Sequence, residues 1–358
     1  MSKEGAKRNI LYVHNGATTF VRKDQRLLSE EFTVLELPFV PTSKWQVPFL
    51  FVQQLFRCLL ITPRVDAVVC QFAGHHSLLP LLVAKLFRKP SMVLSNGSDC
   101  VSFPSLGYGH FRKPLMAAST RWSFRLCDLI VPLHKSLEYA VPTYHDIDGT
   151  AQGIRHFCKD LRTPIAPLGY GFDSEFWKAS EVRLPKRFIT VASNAHKPYI
   201  QVIKGLDMIM QVAPRFPDCE FLVVGAREGS LPNKPSNVIE VPFIPNEELP
   251  QHYGRASFYL QLSVSEGFGN ALCEAMLCGC IPIVSNVGAM PEIVGDAGVV
   301  VARRSVDEIE AKLKEALIMD RRYYSEEARN QIKQQRPQSL RSTGLNRALK
   351  YVMDRGRT

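Results

Sequence analysis

Short apolar runs exchange regularly with helix-length stretches along this chain. "NILYVHN", "TVLELPF", "DAVVCQF" and "SMVLSNG" read as strands, and between them lie "VRKDQRLLSEEF", a second helical stretch and "SLLPLLVAKLFRK". This rhythm predicts an α/β fold of parallel strands joined by crossover helices. After the helical "LMAASTRWSFRLCDLIV", a polar stretch punctuated by Pro and Gly, "RTPIAPLGYGFDSEFWK", breaks the pattern, and a second alternating series opens at "RFITVAS". A chain of 358 residues exceeds what one core usually serves. Two Rossmann-like domains are therefore expected, residues 1–166 and 167–335, with the boundary near Pro164 to Phe176. The tail, residues 336–358, reads either as a helix returning to the first domain or as a frayed end.

A hydrophobic fraction of 46% and a charged fraction of 22% fit an ordinary globular protein. The formal charge of +10 favours anionic partners: nucleic acid, a phosphorylated small molecule or an acidic membrane surface. No zinc-finger, helix-turn-helix or RNA-recognition signature accompanies the charge, so nucleic acid is not an expected partner. Nine cysteines without a C-x-x-C pair suggest neither a zinc site nor a disulfide framework, and fit a reducing, cytoplasmic location. The start of the chain lacks the apolar core of a signal peptide. Val47 to Ile61 is too short to span a bilayer and is broken by Gln53, Gln54 and Arg57. Two readings stay open for "WQVPFLFVQQLFR" and "FRKPLMAASTRWSFR": a face laid on the inner surface of a membrane, or aromatics packed in the core.

The chemistry concentrates in "SVSEGFGNALCEAMLCGCIP", Ser263 to Pro282. Glu266 precedes a Gly-rich turn at the carboxyl end of a strand, where open α/β sheets hold their ligands. Gly267 and Gly269 let backbone amides and the start of the next helix approach an anion. Glu274, in the first two turns of that helix, can accept from two vicinal hydroxyls such as those of a ribose. The pair suits a nucleotide sugar: one carboxylate for the sugar, one for the ribose, and amides between them for phosphates.

These residues, with "IVSNVGAMPEIVGDAGVVV" after them, closely resemble the signature of retaining glycosyltransferases of family 4, in the GT-B superfold. "PLGYGFDSEFW" resembles the interdomain segment of that family, and "VIKGLDMIMQVAPRFPDCEFLVVG" its K-G-x-D and L-x-I-V-G stretch. The resemblance is strong from about Pro167 to Val301 and weaker across the first domain. It implies transfer of a sugar from a UDP- or GDP-sugar to a hydroxyl of a glycan or lipid-linked acceptor, as in cell-surface polysaccharide synthesis. It implies no metal and no cofactor beyond the donor itself. By position, Glu266 matches the acid at the donor sugar, beside Gly267, Phe268, Gly269, Asn270 and Ala271. Glu274 matches the ribose-binding acid, Lys204 the lysine at the pyrophosphate, and Gly16 the glycine facing the phosphates from the first domain. Ile244, in "PFIP", falls in the stretch whose backbone meets the base.

Two positions depart from the family. Ala192 and Ser193 stand where an arginine is common, leaving His196 or Lys197 as replacement cations. Asn96, in "NGSD", stands where a histidine is common; it reads either as a sugar contact or, together with Asp99, as a turn former. His75 and His76 are open to an acceptor role or a bland one. Asp146 and Asp148 form a literal Asp-x-Asp in a polar stretch that reads as a surface turn. Two further readings share the fold: a nucleotide-sugar epimerase, and an inactive nucleotide-sugar-binding protein.

Overall fold

A computed structural model describes residues 7–178 and 182–355. In the first half, strands β1 (Asn9–His14), β2 (Thr33–Pro38), β3 (Ala67–Gln71), β4 (Ser91–Ser95) and β5 (Leu129–Pro132) alternate with helices α1 (Thr19–Ser29), α2 (Val47–Ile61), α3 (His75–Leu86) and α4 (Pro114–Leu126), and a short α5 (Ile154–Phe157) follows. The five strands form one sheet in the order β2-β1-β3-β4-β5, every pair parallel. Residues 164–168 run along the edge of β5, exchanging backbone bonds with Ile130 and Pro132, before the chain leaves for the second half. β3 and β4 are buried at every position, the continuous apolar pattern of a sheet covered on both faces.

The second half builds a six-stranded parallel sheet in the order β11-β10-β9-β6-β7-β8. Its strands are β6 (Leu184–Val191), β7 (Glu220–Val224), β8 (Val238–Val241), β9 (Ala256–Gln261), β10 (Ile281–Ser285) and β11 (Val299–Val301). Between and after them come α6 (Pro198–Ile203), α7 (Leu206–Val212), α8 (Leu249–Gly254), α9 (Asn270–Leu277), α10 (Met290–Val294), α11 (Val306–Leu317), α12 (Arg321–Gln335) and α13 (Ser339–Arg355).

Of the two readings of the tail, the structure takes the return to the first domain. α12 packs on α9 and β10, whereas α13 packs on α1. Leu345, Leu349, Val352 and Met353 of α13 are buried with Ile10, Tyr12, Val69, Met92 and Leu94 of the first sheet. Each such side chain contributes on the order of 1.5–3 kcal/mol through apolar burial, enough to make α13 part of that domain's core.

Strand order locates the binding region. The chain reverses direction across the sheet between β1 and β3 in the first domain, and between β6 and β9 in the second. Crevices at such switch points, outside the carboxyl ends of the strands, are where these sheets bind ligands. The loops after β1, β3, β4, β6 and β9 should therefore meet around one cleft.

Candidate active site

The loop after β9 carries the first acid. Glu266 Oε2 accepts from Lys204 Nζ at 2.7 Å and from Gln261 Nε2 at 2.6 Å. Gln261 is the last residue of β9 and is buried, and its Oε1 accepts from the Tyr259 hydroxyl at 3.0 Å. The carboxylate is thus held by one cation and one amide, each anchored to the sheet. Lys204 reaches it because α6 and α7 turn sharply at Gly205, which has φ +70° and packs on β9's exit. A Cβ there would lie 2.1 Å from the Leu262 carbonyl oxygen. The Val264 amide donates to the Ile203 carbonyl at 2.9 Å, closing the same corner.

Glu266 and Lys204 line a cleft with an empty volume of about 1070 Å³, shared between the two domains. Phe268, Gly269, Asn270 and Ala271 line it from the second domain, and Asn96 from the first. Asn270 begins α9, and its Oδ1 is buried without a hydrogen-bond partner. A buried acceptor without a partner is costly. Gly267 sits where the domains touch: a Cβ on it would lie 2.1 Å from the Asn96 carbonyl oxygen. Gly267→Ala should therefore force the loops apart, costing roughly 1–3 kcal/mol of stability and lowering any activity of the cleft at least tenfold. Thermal melting alongside steady-state rates checks this, and a variant with unchanged rates would mean that the contact is not needed.

Glu274 lies one turn further along α9 and does not line this cleft. It is half-buried, and desolvation raises its carboxyl pKa to about 7, against the opposing pull of Lys23. Lys23, on α1, is itself shifted downward by burial, with the Glu274 charge working against that shift. Its ammonium donates to the Gly171 carbonyl at 2.7 Å and stands 4.8 Å from the Phe172 ring centre. Lys23 thus places a first-domain cation in the field of Glu274.

Three expected contacts lie off the cleft. Ile244 packs its side chain in the apolar core, which leaves the expected contact through its backbone untouched. Gly16 has φ +152°, and its amide donates to His14 Nδ1 at 3.2 Å. Lys197 immediately precedes α6 and His196 is exposed; neither lines the cleft, so the free structure brings neither in as the replacement cation. Ser193 does line it, at the position expected for arginine.

Asp99 resolves toward the turn reading: its carboxylate accepts from the amides of Ala73 at 3.0 Å and Gly97 at 3.2 Å. His76 is structural, buried with Nε2 2.7 Å from the Gln71 carbonyl oxygen. His75 lines an apolar groove with Phe51, Leu55 and Leu82. Asp146 and Asp148 form a turn closed by the Gly149 amide donating to the Asp146 carbonyl at 2.9 Å, and Asp148 accepts from Ser105.

Residues 175–337 match the family model "Glycosyl transferases group 1". The second domain belongs to that family. The chain is similar to the O-antigen chain mannosyltransferase B of Escherichia coli, 43% identical over 75 residues, which are 21% of this chain and 20% of that protein. The chain spans between a fifth and about half of the length of the curated relatives it matches. Among solved structures it superposes on sucrose-phosphate synthase from Thermosynechococcus elongatus with a TM-score of 0.72 at 11% identity, covering 97% of this chain and 100% of that one. It also superposes on Anabaena HepE in complex with UDP-glucose, with a TM-score of 0.66 at 13% identity, covering 96% and 100%. At these identities the likeness shows the fold, which is GT-B.

Residues that sequence reasoning missed include Gln261, Gln71 and Lys23. The two glutamines had a readable signal: each is an amide ending an otherwise apolar strand, in "AVVCQ" and "ASFYLQ". Such a residue is buried at the carboxyl edge of a sheet, where only a polar partner justifies it. Lys23 had none, since "VRKDQR" reads as a solvated helix face.

Proposed function

We propose that this protein is a retaining hexosyltransferase that moves a sugar from a UDP- or GDP-sugar to a hydroxyl of a glycan or lipid-linked acceptor in cell-surface polysaccharide synthesis. The observation that carries the reading is the Glu266–Lys204–Gln261 cluster, whose Glu266 and Lys204 line a cleft that Asn270 borders at the start of α9 and Asn96 borders from the first domain. Group 1 membership of the second domain and the E. coli mannosyltransferase relative support the same class.

In the proposed reaction the bond from the anomeric carbon to the diphosphate oxygen breaks and a bond to the acceptor oxygen forms on the face just vacated. The acceptor's proton passes to the departing diphosphate, the nearest base on that face. Negative charge grows on the leaving group, and Lys204 together with the amides opening α9 supplies the compensating field. Glu266 holds hydroxyls of the sugar, and Glu274 the ribose. We assign the charge compensation to these groups and include no metal step.

The direct test incubates the protein with labelled UDP- and GDP-sugars, with and without lipid-linked or glycan acceptors. Acceptor-dependent release of nucleoside diphosphate supports the proposal; conversion of the donor sugar to its epimer without acceptor, or binding without turnover, would replace it.

We place the protein at the inner face of a membrane. Trp45 is 93% exposed, and Phe49, Phe56 and Leu60 are also exposed, so these side chains are not core. Lys44 and Arg57 stand exposed among them, a mixture suited to an anionic lipid surface. Phe51 and Leu55 face the other way, toward Phe39 and the core. No described helix is long and apolar enough to cross a membrane. Flotation with vesicles containing anionic phospholipid should recover the wild-type protein with lipid, and the double reversal Lys44→Glu, Arg57→Glu should shift most of it to the soluble fraction. Equal recovery of both would remove this face from lipid contact.

A further inference from the structure

Behind Asn96 lies a chain of buried polar groups that runs to the C-terminal helix. Arg341 of α13 and Asp24 of α1 are both fully buried, and form a two-bond pair: Nε to Oδ1 at 2.9 Å and Nη2 to Oδ2 at 2.7 Å. Arg341 also donates to the Leu168 carbonyl at 2.6 Å and lies 4.6 Å from the Tyr170 ring centre. Asp24 Oδ2 accepts a third bond, from Gln71 Nε2 at 2.8 Å. Gln71 Oε1 in turn accepts from Asn96 Nδ2 at 3.2 Å, and Asn96 Oδ1 accepts from the Tyr170 hydroxyl at 3.3 Å.

The order of donors and acceptors in this chain is forced. A carboxylate paired with a guanidinium has only acceptor oxygens, so Gln71 must turn its NH2 toward Asp24. Its carbonyl then faces Asn96, which must answer with its own NH2. Reversing either amide would set two acceptors or two donors against each other in a buried site, a cost of about 1–3 kcal/mol. Asn96 is left with its carbonyl oxygen beside Tyr170, and both residues line the cleft.

We propose that Gln71 is a positioning residue that fixes the polarity of Asn96, so that Asn96 presents an acceptor oxygen to a hydroxyl of the transferred sugar. The inference rests on the nucleotide-sugar reading above and adds to it the class of sugar. A hydroxyl at that point satisfies the oxygen; a carboxylate there, as in a uronic acid, is repelled. The buried Arg341–Asp24 pair, supplied across the domain by α13, sets the direction of the whole series.

Calorimetric affinities of UDP, GDP, UDP-glucose and GDP-mannose test this on four proteins: wild type, Gln71→Met, Asn96→Ala and the double variant. Met fills the space of Gln71 without a hydrogen bond, and Asp24 keeps Arg341. Gln71→Met should weaken the sugar nucleotide about tenfold and leave the matching nucleotide unchanged. Asn96→Ala should do the same, and the double variant should fall within twofold of Asn96→Ala alone. Losses that multiply to about a hundredfold, or an equal loss for the bare nucleotide, would overturn the proposal. Should Gln71→Met fail to fold, Gln71→Glu replaces it. A neutral Glu there gives its hydroxyl to Asp24 and its carbonyl to Asn96, and should keep wild-type affinity; a folded Gln71→Glu with the tenfold loss would contradict the proposal. If wild type binds none of the four probes, the proposed function itself fails, and this inference with it.

Discussion

Replacing Lys204 by Met should slow sugar transfer roughly 10²–10³-fold at saturating donor, the loss typical when one donor to a developing oxyanion is removed. Its ammonium sits 2.7 Å from Glu266 on the cleft wall, at the corner where α6 ends. In the proposed transition state the diphosphate gains charge as the sugar leaves, and Lys204 is the cation among the described residues lining that cleft. The fold should survive, because Glu266 keeps its bond from Gln261 and the corner itself is made by Gly205 and backbone bonds. Lys204→Arg should recover only part of the rate, since a planar guanidinium does not place its charge where a compact ammonium does. Single-turnover rates check both variants, and a loss below fivefold for Lys204→Met would remove this residue from leaving-group stabilisation.

Glu274→Gln should move stability and binding in opposite directions. Burial raises the folded-state pKa of Glu274 from 4.5 to about 7, with the Lys23 charge opposing the shift. The folded protein therefore holds this proton more tightly than the unfolded chain. The associated stability is fully present below the unfolded value near 4.5 and is lost as pH rises through about 7. Above pH 7 the ionised carboxylate is a net cost on the order of 2 kcal/mol, allowing for its partial exposure. Gln removes that cost, so the variant's free form should melt higher than wild type at pH 8. Lys23 loses a favourable neighbour, a smaller effect because Gly171 and Phe172 still hold it.

Binding should respond the other way. Ribose hydroxyls donate to the ionised carboxylate, so wild-type affinity for UDP or GDP should strengthen as pH rises from 6 to 8, and Glu274→Gln should abolish that dependence while weakening affinity tenfold or more at pH 8. Calorimetry across this pH range, paired with thermal melts without nucleotide, separates the two effects. A variant that melts higher and binds as wild type would leave Glu274 a desolvated acid without a ligand.

The alternation of apolar runs and helices was legible because parallel strands buried on both faces carry unbroken Val/Ile/Leu signals, as in β3 and β10. The loop from Glu266 to Ala271 was legible because its chemistry is local: the strand, the glycines and the helix start are consecutive. What the sequence hid is what the fold brings together from afar. Gln71 and Asn96 are 25 positions apart, and Asp24 and Arg341 are 317. Lys23 meets the field of Glu274 only because α1 of one domain faces α9 of the other. The reading of Lys197 came from position near a motif, and a motif does not say which way a side chain turns.

Everything proposed for the cleft requires one nucleoside diphosphate to bridge Lys204 and Glu274. The most direct measurement is a crystal structure of the protein with UDP or GDP, whichever raises its melting temperature more. Ribose hydroxyls should lie on the Glu274 carboxylate and the diphosphate within hydrogen-bond reach of Lys204, with the Asn96 carbonyl turned to the space where the sugar would sit. A nucleotide bound elsewhere, or one whose phosphates lie away from Lys204 while its ribose ignores Glu274, would contradict it.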